Sequence, residues 1–150
     1  MPQSLTNLVV HAVFSTKDRR PYFAPEFRTD VFSYLAASLR EKGCPPVIVG
    51  GHVDHIHALF RLSRTIEIAG LVGDVKSSSS NWLKTKSPSL QAFAWQSGYA
   101  GFSVSQSDVT AVKAYIEGQE DHHRKWSFQD ELRRILRENE VEYDERSLWD

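Results

Sequence analysis

The chain has 150 residues, 41% hydrophobic and 25% charged, a composition that excludes a disordered or fibrous protein and suits one domain around one core. Its 18 basic and 19 acidic side chains leave a net charge of −1, which argues against a general polyanion binder but permits a local basic surface. The lone cysteine, Cys44, excludes an internal disulfide and fits a reducing cytoplasm, the expected location. The first residues, "MPQSLTNLVVHAVF", lack a basic start, so no signal peptide is expected. No apolar stretch approaches the roughly 20 residues that cross a bilayer, so no membrane partner is expected either.

In chain order, "LTNLVVHAVFST" is β-branched and apolar and predicts a buried strand over about residues 5–14. "PEFRTDVFSYLAASLREKG" spaces Phe27, Val31, Leu35 and Leu39 four apart, with proline near its start and Gly43 past its end, and predicts a helix. "PPVIVGG" and "HVDHIHALFRL" read as two strands of a hairpin. "TIEIAGLVGDVKSSSSNWLKTK" suits a helix with a soft serine-rich centre, kept packed by Trp82 and Leu83. "AFAWQSGYAGFSVS" predicts a fourth strand. "SDVTAVKAYIEGQEDHHRKW" predicts a helix with Ser107 as N-cap, and "SFQDELRRILRENE" a last helix opened by Ser127 and Asp130.

The order β-α-β-β-α-β followed by helices predicts an α+β fold: a ferredoxin-like antiparallel sheet with helices on one face, plus C-terminal helices. One domain over 1–150 is expected, with its core at about 4–106, a helix at about 107–121 and a C-terminal helix and tail at about 127–150. Fold alone assigns no activity.

"VDHIHALF" carries the first chemical signal. On a strand, residues i and i+2 leave the same face about 7 Å apart, so His55 and His57 project together while Ile56, Ala58 and Phe60 go to the other side. With Ile56 against the helices, the imidazoles face the open side of the sheet. Two neutral imidazoles there either hydrogen-bond quietly or ligate one divalent ion, and two ligands leave a site incomplete. Asp54 reaches a histidine only through a backbone irregularity.

"AVKAYIEGQE" supplies a candidate complement. Tyr115 and Gln119 lie one helical turn apart, the first a phenolic nucleophile and the second a carbonyl oxygen for a metal. The alternative is that the tyrosine packs an amphipathic helix. A His, His, Gln set with open positions suits Mg²⁺ or Mn²⁺ as Lewis acid more than a closed structural zinc. The chemistry that needs these parts is phosphodiester strand transfer, with a tyrosine whose ordinary pKa near 10 needs help in losing its proton.

Together and in this order, "GGHVDHIHALF", "WQSGYAGFSVS" and "VKAYIEGQEDHH" resemble the single-tyrosine HUH transposases, the insertion-sequence-200-like family with its REP-associated relatives. The resemblance runs from about Ser4 to Gln119, and the final "HHRKWSFQDELRRILRENEVEYDERSLWD" also looks like family members. Members often carry proline where Val53 stands and a bulkier residue where Ala58 stands, neither at a ligand position. The resemblance implies cleavage and rejoining of single-stranded DNA near hairpins through a 5′-phosphotyrosine. It implies Tyr115 as nucleophile and His55, His57 and Gln119 as metal ligands. It also implies a homodimer in which the tyrosine of one subunit serves the histidines of the other. A domesticated hairpin-binding protein is the main alternative, and a replication-initiator-like nickase the third.

For the DNA surface, Lys17, Arg19 and Arg20 follow the first strand, and Lys76, Lys84 and Lys86 flank the serine run as candidate phosphate contacts. Trp95 and Tyr99 are candidate stacking platforms for unpaired bases, whereas Trp82 is expected to pack. His122 and His123 are expected to be solvated or capping residues at a frayed helix end.

Overall fold

The structure is a computed structural model and describes residues 2–150. Four strands, β1 (Val9–Ser15), β2 (Pro46–Gly51), β3 (His55–Arg61) and β4 (Ala100–Val104), form an antiparallel sheet in the order β2-β3-β1-β4. Helices α1 (Pro25–Glu41) and α2 (Ile68–Lys84) cover one face. This is the predicted α+β arrangement.

The period-two alternation of the strands divides the core. Ala12 and Phe14 of β1 and Ile56, Ala58 and Phe60 of β3 bury against Val31, Leu35 and Leu39 of α1 and Leu71, Val72 and Val75 of α2. Helix α1 ends as its Gly43 suggests. That residue takes φ +73°, Gly43 N–H donates to the Arg40 carbonyl at 3.0 Å, and Cys44 N–H to Leu39 at 2.9 Å, the paired bonds of a Schellman stop.

Helix α2 runs unbroken through the four serines, so the expected soft centre is absent. Ser78 and Ser79 donate their hydroxyls to the Val75 and Lys76 carbonyls, and buried Ser79 accepts the Trp95 indole N–H at 3.0 Å. A serine that bonds the preceding turn and a tryptophan does not compete with the helix ladder.

The fourth strand is shorter than its β-prone run. Only Ala100–Val104 pairs with β1, and Trp95 makes a single bridge to Thr16. Gly98 at φ +82° turns the chain between them.

The second sheet face is not open. Helices α3 (Val109–Glu117), α4 (Gln119–His122) and α5 (Phe128–Glu138) lie over it. Ile116 of α3 packs with Val9 and Leu59, and Phe128, Leu132, Ile135 and Leu136 of α5 pack with Val13 and Phe102. Ser107 does not cap α3: it lies inside a 3-10 turn over Gln106–Asp108, and Asp108 occupies the N-cap without a side-chain bond. Ser127 does cap α5, accepting the Asp130 N–H at 3.1 Å.

Candidate active site

His55 and His57 leave β3 on the face covered by α3–α5, as the alternation predicts, and both side chains are fully buried. Each is fixed from behind. Asp54 sits just before β3, where the chain is not yet extended, and its Oδ1 accepts from His55 Nδ1 at 2.8 Å. His57 Nδ1 lies 2.8 Å from Nε2 of His11, on the adjacent strand β1. The Phe128 ring stacks on His55 at 4.3 Å between centroids. Both Nε2 atoms therefore point the same way, into the space beneath α3–α5.

Tyr115 and Gln119 come to that space from above. Gly118 separates α3 from α4, yet Gly118 N–H still bonds Ala114 and His122 N–H bonds Gly118, so the turn is kept and the two side chains share a direction. Gln119 Oε1 stands 2.9 Å from His55 Nε2. The half-buried Tyr115 ring lies edge-on to His57, 5.8 Å between centroids.

A residue absent from the sequence reading occupies the centre. Glu131 of α5 is buried, with Oε1 3.1 Å from His57 Nε2 and 3.4 Å from His55 Nε2. Its other oxygen accepts the Tyr115 hydroxyl and the Gln119 Nε2–H, the latter at 2.8 Å. Arg134, one turn further along α5, donates to Tyr115 Oη at 3.1 Å. The signal for Glu131 lies in its spacing: it interrupts the apolar stripe Phe128, Leu132, Ile135 that seats α5. Each of those apolar side chains contributes about 1.5–3 kcal/mol on burial, enough together to offset the several kcal/mol that sequestering a carboxylate costs.

His122 and His123 are not solvated, although His123 does stand at the C-cap of α4, the other half of the expectation. His123 Nδ1 donates to the Trp126 carbonyl at 2.8 Å, which turns Nε2 inward to 2.9 Å from Gln119 Oε1 and 3.2 Å from Glu131 Oε1. His122 Nε2 lies 3.3 Å from Glu131 Oε2 without hydrogen-bond geometry. The chain turns back sharply after α4, and that turn, rather than a frayed end, sets both rings.

The electrostatics follow from burial and this one carboxylate. Burial opposes the charged form of Glu131, but bonds from His123, His55 and His57 hold its carboxyl well below the usual range. Burial also disfavours the His55 imidazolium, yet Asp54 and Glu131 together outweigh it and lift His55 to about 9. Burial dominates at His57, lowered to about 4, and at His11, lowered to about 3. Burial and then the Glu131 charge push the Tyr115 phenol up, with Arg134 opposing.

The donor set fits a divalent cation. Gln119 Nε2 and His55 Nδ1 already donate elsewhere, so Gln119 Oε1 and the neutral His55 Nε2 meet as two acceptors at 2.9 Å. A cation or an added proton reconciles them. His55, His57 and Glu131 form one group with metal-ligand spacing, and His122, His123 and Glu131 a second.

Of the expected DNA-contact residues, Lys17, Arg19, Lys76, Trp95 and Tyr99 lie around the loop before β4, and Lys84 and Lys86 lie at the end of α2. Lys17, Arg20, Lys84 and Tyr99 are exposed, and Arg19 lies 5.3 Å from the Trp149 ring. Lys86 sits 4.7 Å over Trp82, which stacks on Tyr34 as a packing residue. Two differ from expectation. The Lys76 ammonium donates to the Gln96 and Gly98 carbonyls, and burial lowers it to about 8, so it anchors the loop before β4. Trp95 is partly buried and packs among Phe14, Phe23 and Phe93.

Among the described residues no helix is long and apolar enough to cross a membrane. A family model described as "Transposase IS200 like" matches residues 4–119. A search of curated proteins finds no match. Two solved structures share the fold. One is a candidate transposase from Deinococcus radiodurans R1, 21% identical, covering 77% of this chain and 93% of its own at TM-score 0.61. The other is a REP-associated tyrosine transposase bound to a REP hairpin, 12% identical, covering 83% of this chain and 73% of its own at TM-score 0.61. The match to residues 4–119 spans the histidine strand, the tyrosine and the glutamine, and the chain belongs to the IS200-like transposase family.

Proposed function

We propose that the chain cleaves and rejoins single-stranded DNA at hairpin-bearing ends through a covalent 5′-phosphotyrosine, with His55, His57 and Gln119 holding a divalent metal, Mg²⁺ or Mn²⁺ by the resemblance. The observation that carries this reading is the convergence of a buried imidazole pair, an amide oxygen and a phenol on the single carboxylate of Glu131. A hairpin-binding protein without chemistry has no use for that constellation.

When bound, the metal supplies charge neutralisation at the scissile phosphate. The chain's own residues do the rest. Glu131 Oε2 accepts the Tyr115 hydroxyl and Arg134 donates to the same oxygen, so Oη is held from two sides. Attack forms the Oη–P bond and breaks P–O3′; Glu131 Oε2 and Arg134 hold Oη in place, the phenolic proton passes to water, and the departing O3′ takes a proton from water. Rejoining reverses this: an incoming 3′-hydroxyl gives its proton to water and forms the new P–O3′ bond, P–Oη breaks, and Tyr115 recovers its proton from water. Arg134 opposes the rise that burial imposes on the phenol.

The partner is hairpin-bearing single-stranded DNA, a reading supported by the REP hairpin in the second solved structure. The resemblance implies a homodimer with shared sites. Tyr115 here stands beside its own chain's histidines, so a shared site requires α3 to leave its own sheet. The test is incubation with labelled single-stranded hairpin DNA and Mg²⁺ or Mn²⁺. A covalent adduct that disappears in Tyr115→Phe, with hairpin binding retained, is the expected result. Binding with no adduct under any metal would leave only a hairpin-binding protein.

A further inference from the structure

Two buried side-chain nitrogens find no hydrogen-bond partner among the described residues: Nε of Arg134 and Nε2 of His122. Buried polar atoms are seldom left so, because nothing offsets the water they lose. Both belong to residues beside the nucleophile. The Arg134 guanidinium carbon lies 5.6 Å from the Tyr115 ring centroid, and the His122 ring lies 5.5 Å from it, centroid to centroid. Both residues also stand beyond 4–119, the span of the family match.

We infer that Arg134 and His122 hold the non-bridging oxygens of the scissile phosphate, with Arg134 a catalytic residue that opposes the charge of the transition state. The inference rests on the strand-transfer reading above and assigns two further residues to it.

The guanidinium edge carries the argument. The Nε–H and one terminal N–H of an arginine leave in parallel, a fork that takes two oxygens of one carboxylate or phosphate. At Arg134 the terminal half of the fork is in use, with Nη2 donating to Tyr115 Oη at 3.1 Å. The Nε half is empty. Glu138 Oε1, one turn along α5, stands 3.8 Å from Nε, an ion pair but beyond hydrogen-bond reach. Once Oη joins phosphorus it is itself a phosphate oxygen, and a neighbouring oxygen of that phosphate comes within reach of Nε. The fork that holds the phenol then holds its ester.

His122 supplies the second donor. Its Nε2 lies 3.3 Å from Glu131 Oε2 without hydrogen-bond geometry, and that oxygen already takes the Tyr115 hydroxyl and the Gln119 amide. A neutral imidazole with its proton on Nε2 donates to a further phosphate oxygen.

Charge gives Arg134 the larger share. Glu131 is a buried carboxylate in contact with Oη, and a phosphodiester brings a second negative charge to the same atom. As the phenol attacks, charge grows on the non-bridging oxygens, and a guanidinium already in place opposes it without rearrangement. The Arg134 side chain is 39% exposed, so DNA reaches it with α5 intact. Neither residue gains or loses a proton, and the bonds made and broken are those given above.

The test is single-turnover adduct formation by the full chain on labelled single-stranded hairpin DNA with saturating Mg²⁺ or Mn²⁺. The scissile position carries either the native phosphate or a methylphosphonate, whose two stereoisomers each replace one charged oxygen by methyl. Arg134→Gln should slow the adduct on native DNA by about 100- to 1000-fold with hairpin binding retained. On one methylphosphonate isomer the same substitution should cost about 10-fold or less, because the charge that Arg134 opposes is gone. Arg134→Lys keeps the charge without the fork and should fall between the two. His122→Phe should slow native DNA by about 10- to 100-fold, and Glu138→Gln should leave the rate unchanged. Circular dichroism separates a lost contact from a lost fold, with Arg134→Met and His122→Gln replacing any variant that does not fold. Equal losses on phosphate and on both methylphosphonates would make Arg134 a holder of the phenol alone and overturn the assignment. A loss in Glu138→Gln as large as that in Arg134→Gln would overturn it too, by making the ion pair the cause. Full-rate adduct in the Arg134 and His122 variants removes this inference and leaves the transposase reading, whereas no adduct from the unaltered chain under any metal removes that reading itself.

Discussion

His11 Nε2 and His57 Nδ1 stand 2.8 Å apart across two neighbouring strands, so the second histidine of the β3 pair is aimed by a third histidine from β1. The two rings share one proton, and its position decides whether His57 Nε2 presents a lone pair or an N–H to the site. His11→Phe keeps the bulk and removes the partner. It should weaken divalent-metal binding by about 10- to 100-fold while hairpin-DNA binding changes little, measured by calorimetry and gel shift. Unchanged metal affinity would make His11 a packing residue.

The pH dependence of stability has two limbs. Burial, then the neighbouring His57, lowers His11 to about 3, and burial lowers His57 to about 4. Both fold as neutral rings, so their contribution is complete above about pH 6.5 and is lost as pH falls towards 4 and 3. His55, lifted to about 9, acts in the opposite sense: its contribution is complete below about pH 6.5 and is lost as pH rises through 9. The metal-free protein should melt highest near pH 6.5. Its acid limb should be the steeper, since burial lowers His52 and His122 as well, and Lys76, lowered to about 8, offsets part of the His55 loss on the alkaline side. A melting temperature that stays level from pH 5 to 8 would contradict these assignments.

Gly50 sets how closely α3 approaches the sheet. A Cβ there would meet Ile116 Cγ2 at 2.8 Å and the Ile116 carbonyl oxygen at 3.1 Å, and Ile116 follows Tyr115. Gly50→Ala should push α3 outward and lower the adduct-forming rate on the order of 100-fold, with hairpin binding retained. Equal losses of binding and adduct would point to general unfolding instead.

Because α5 carries Glu131, its cap bears on the site. Ser127→Ala removes the bond to the Asp130 N–H and should cost about 1 kcal/mol, a drop of about 2–4 °C in melting temperature. Thermal unfolding monitored by circular dichroism measures it directly. An unchanged melting temperature would mean that packing alone holds the helix start.

A mixing experiment distinguishes own-chain from shared sites. Tyr115→Phe and a His55→Ala, His57→Ala double variant are each inactive by this account, and with Tyr115 working where it stands, beside its own chain's histidines, combining them should restore no adduct. Recovery to about a quarter or more of the unmixed activity would mean that α3 crosses to a partner.

The strand pair and the tyrosine turn were legible because alternation and helical spacing each fix a direction: His55 and His57 had to leave β3 together, and Tyr115 with Gln119 had to share a side. Three contributors were obscured by context. Glu131 looks like solvated helix charge until α5 is seated by Phe128, Leu132 and Ile135. His123 is turned inward by a bond to the Trp126 carbonyl, which exists only once the chain reverses after α4. His11 reads as one polar residue in an apolar strand, and its partner lies 46 positions away. The same limit misplaced Lys76 and Trp95, whose partners, the carbonyls around Gly98 and the Ser79 hydroxyl, depend on how the loop before β4 folds.

The most direct test of the central claim is to map the covalent bond. The protein would be incubated with a short single-stranded hairpin substrate and divalent metal, digested, and its DNA-linked peptide sequenced by mass spectrometry. The account predicts one modified residue, Tyr115, joined to the 5′-phosphate of the downstream fragment, with a free 3′-hydroxyl on the other. A link at any other residue, or cleavage that leaves a 5′-phosphate on free DNA and no peptide adduct, would contradict it.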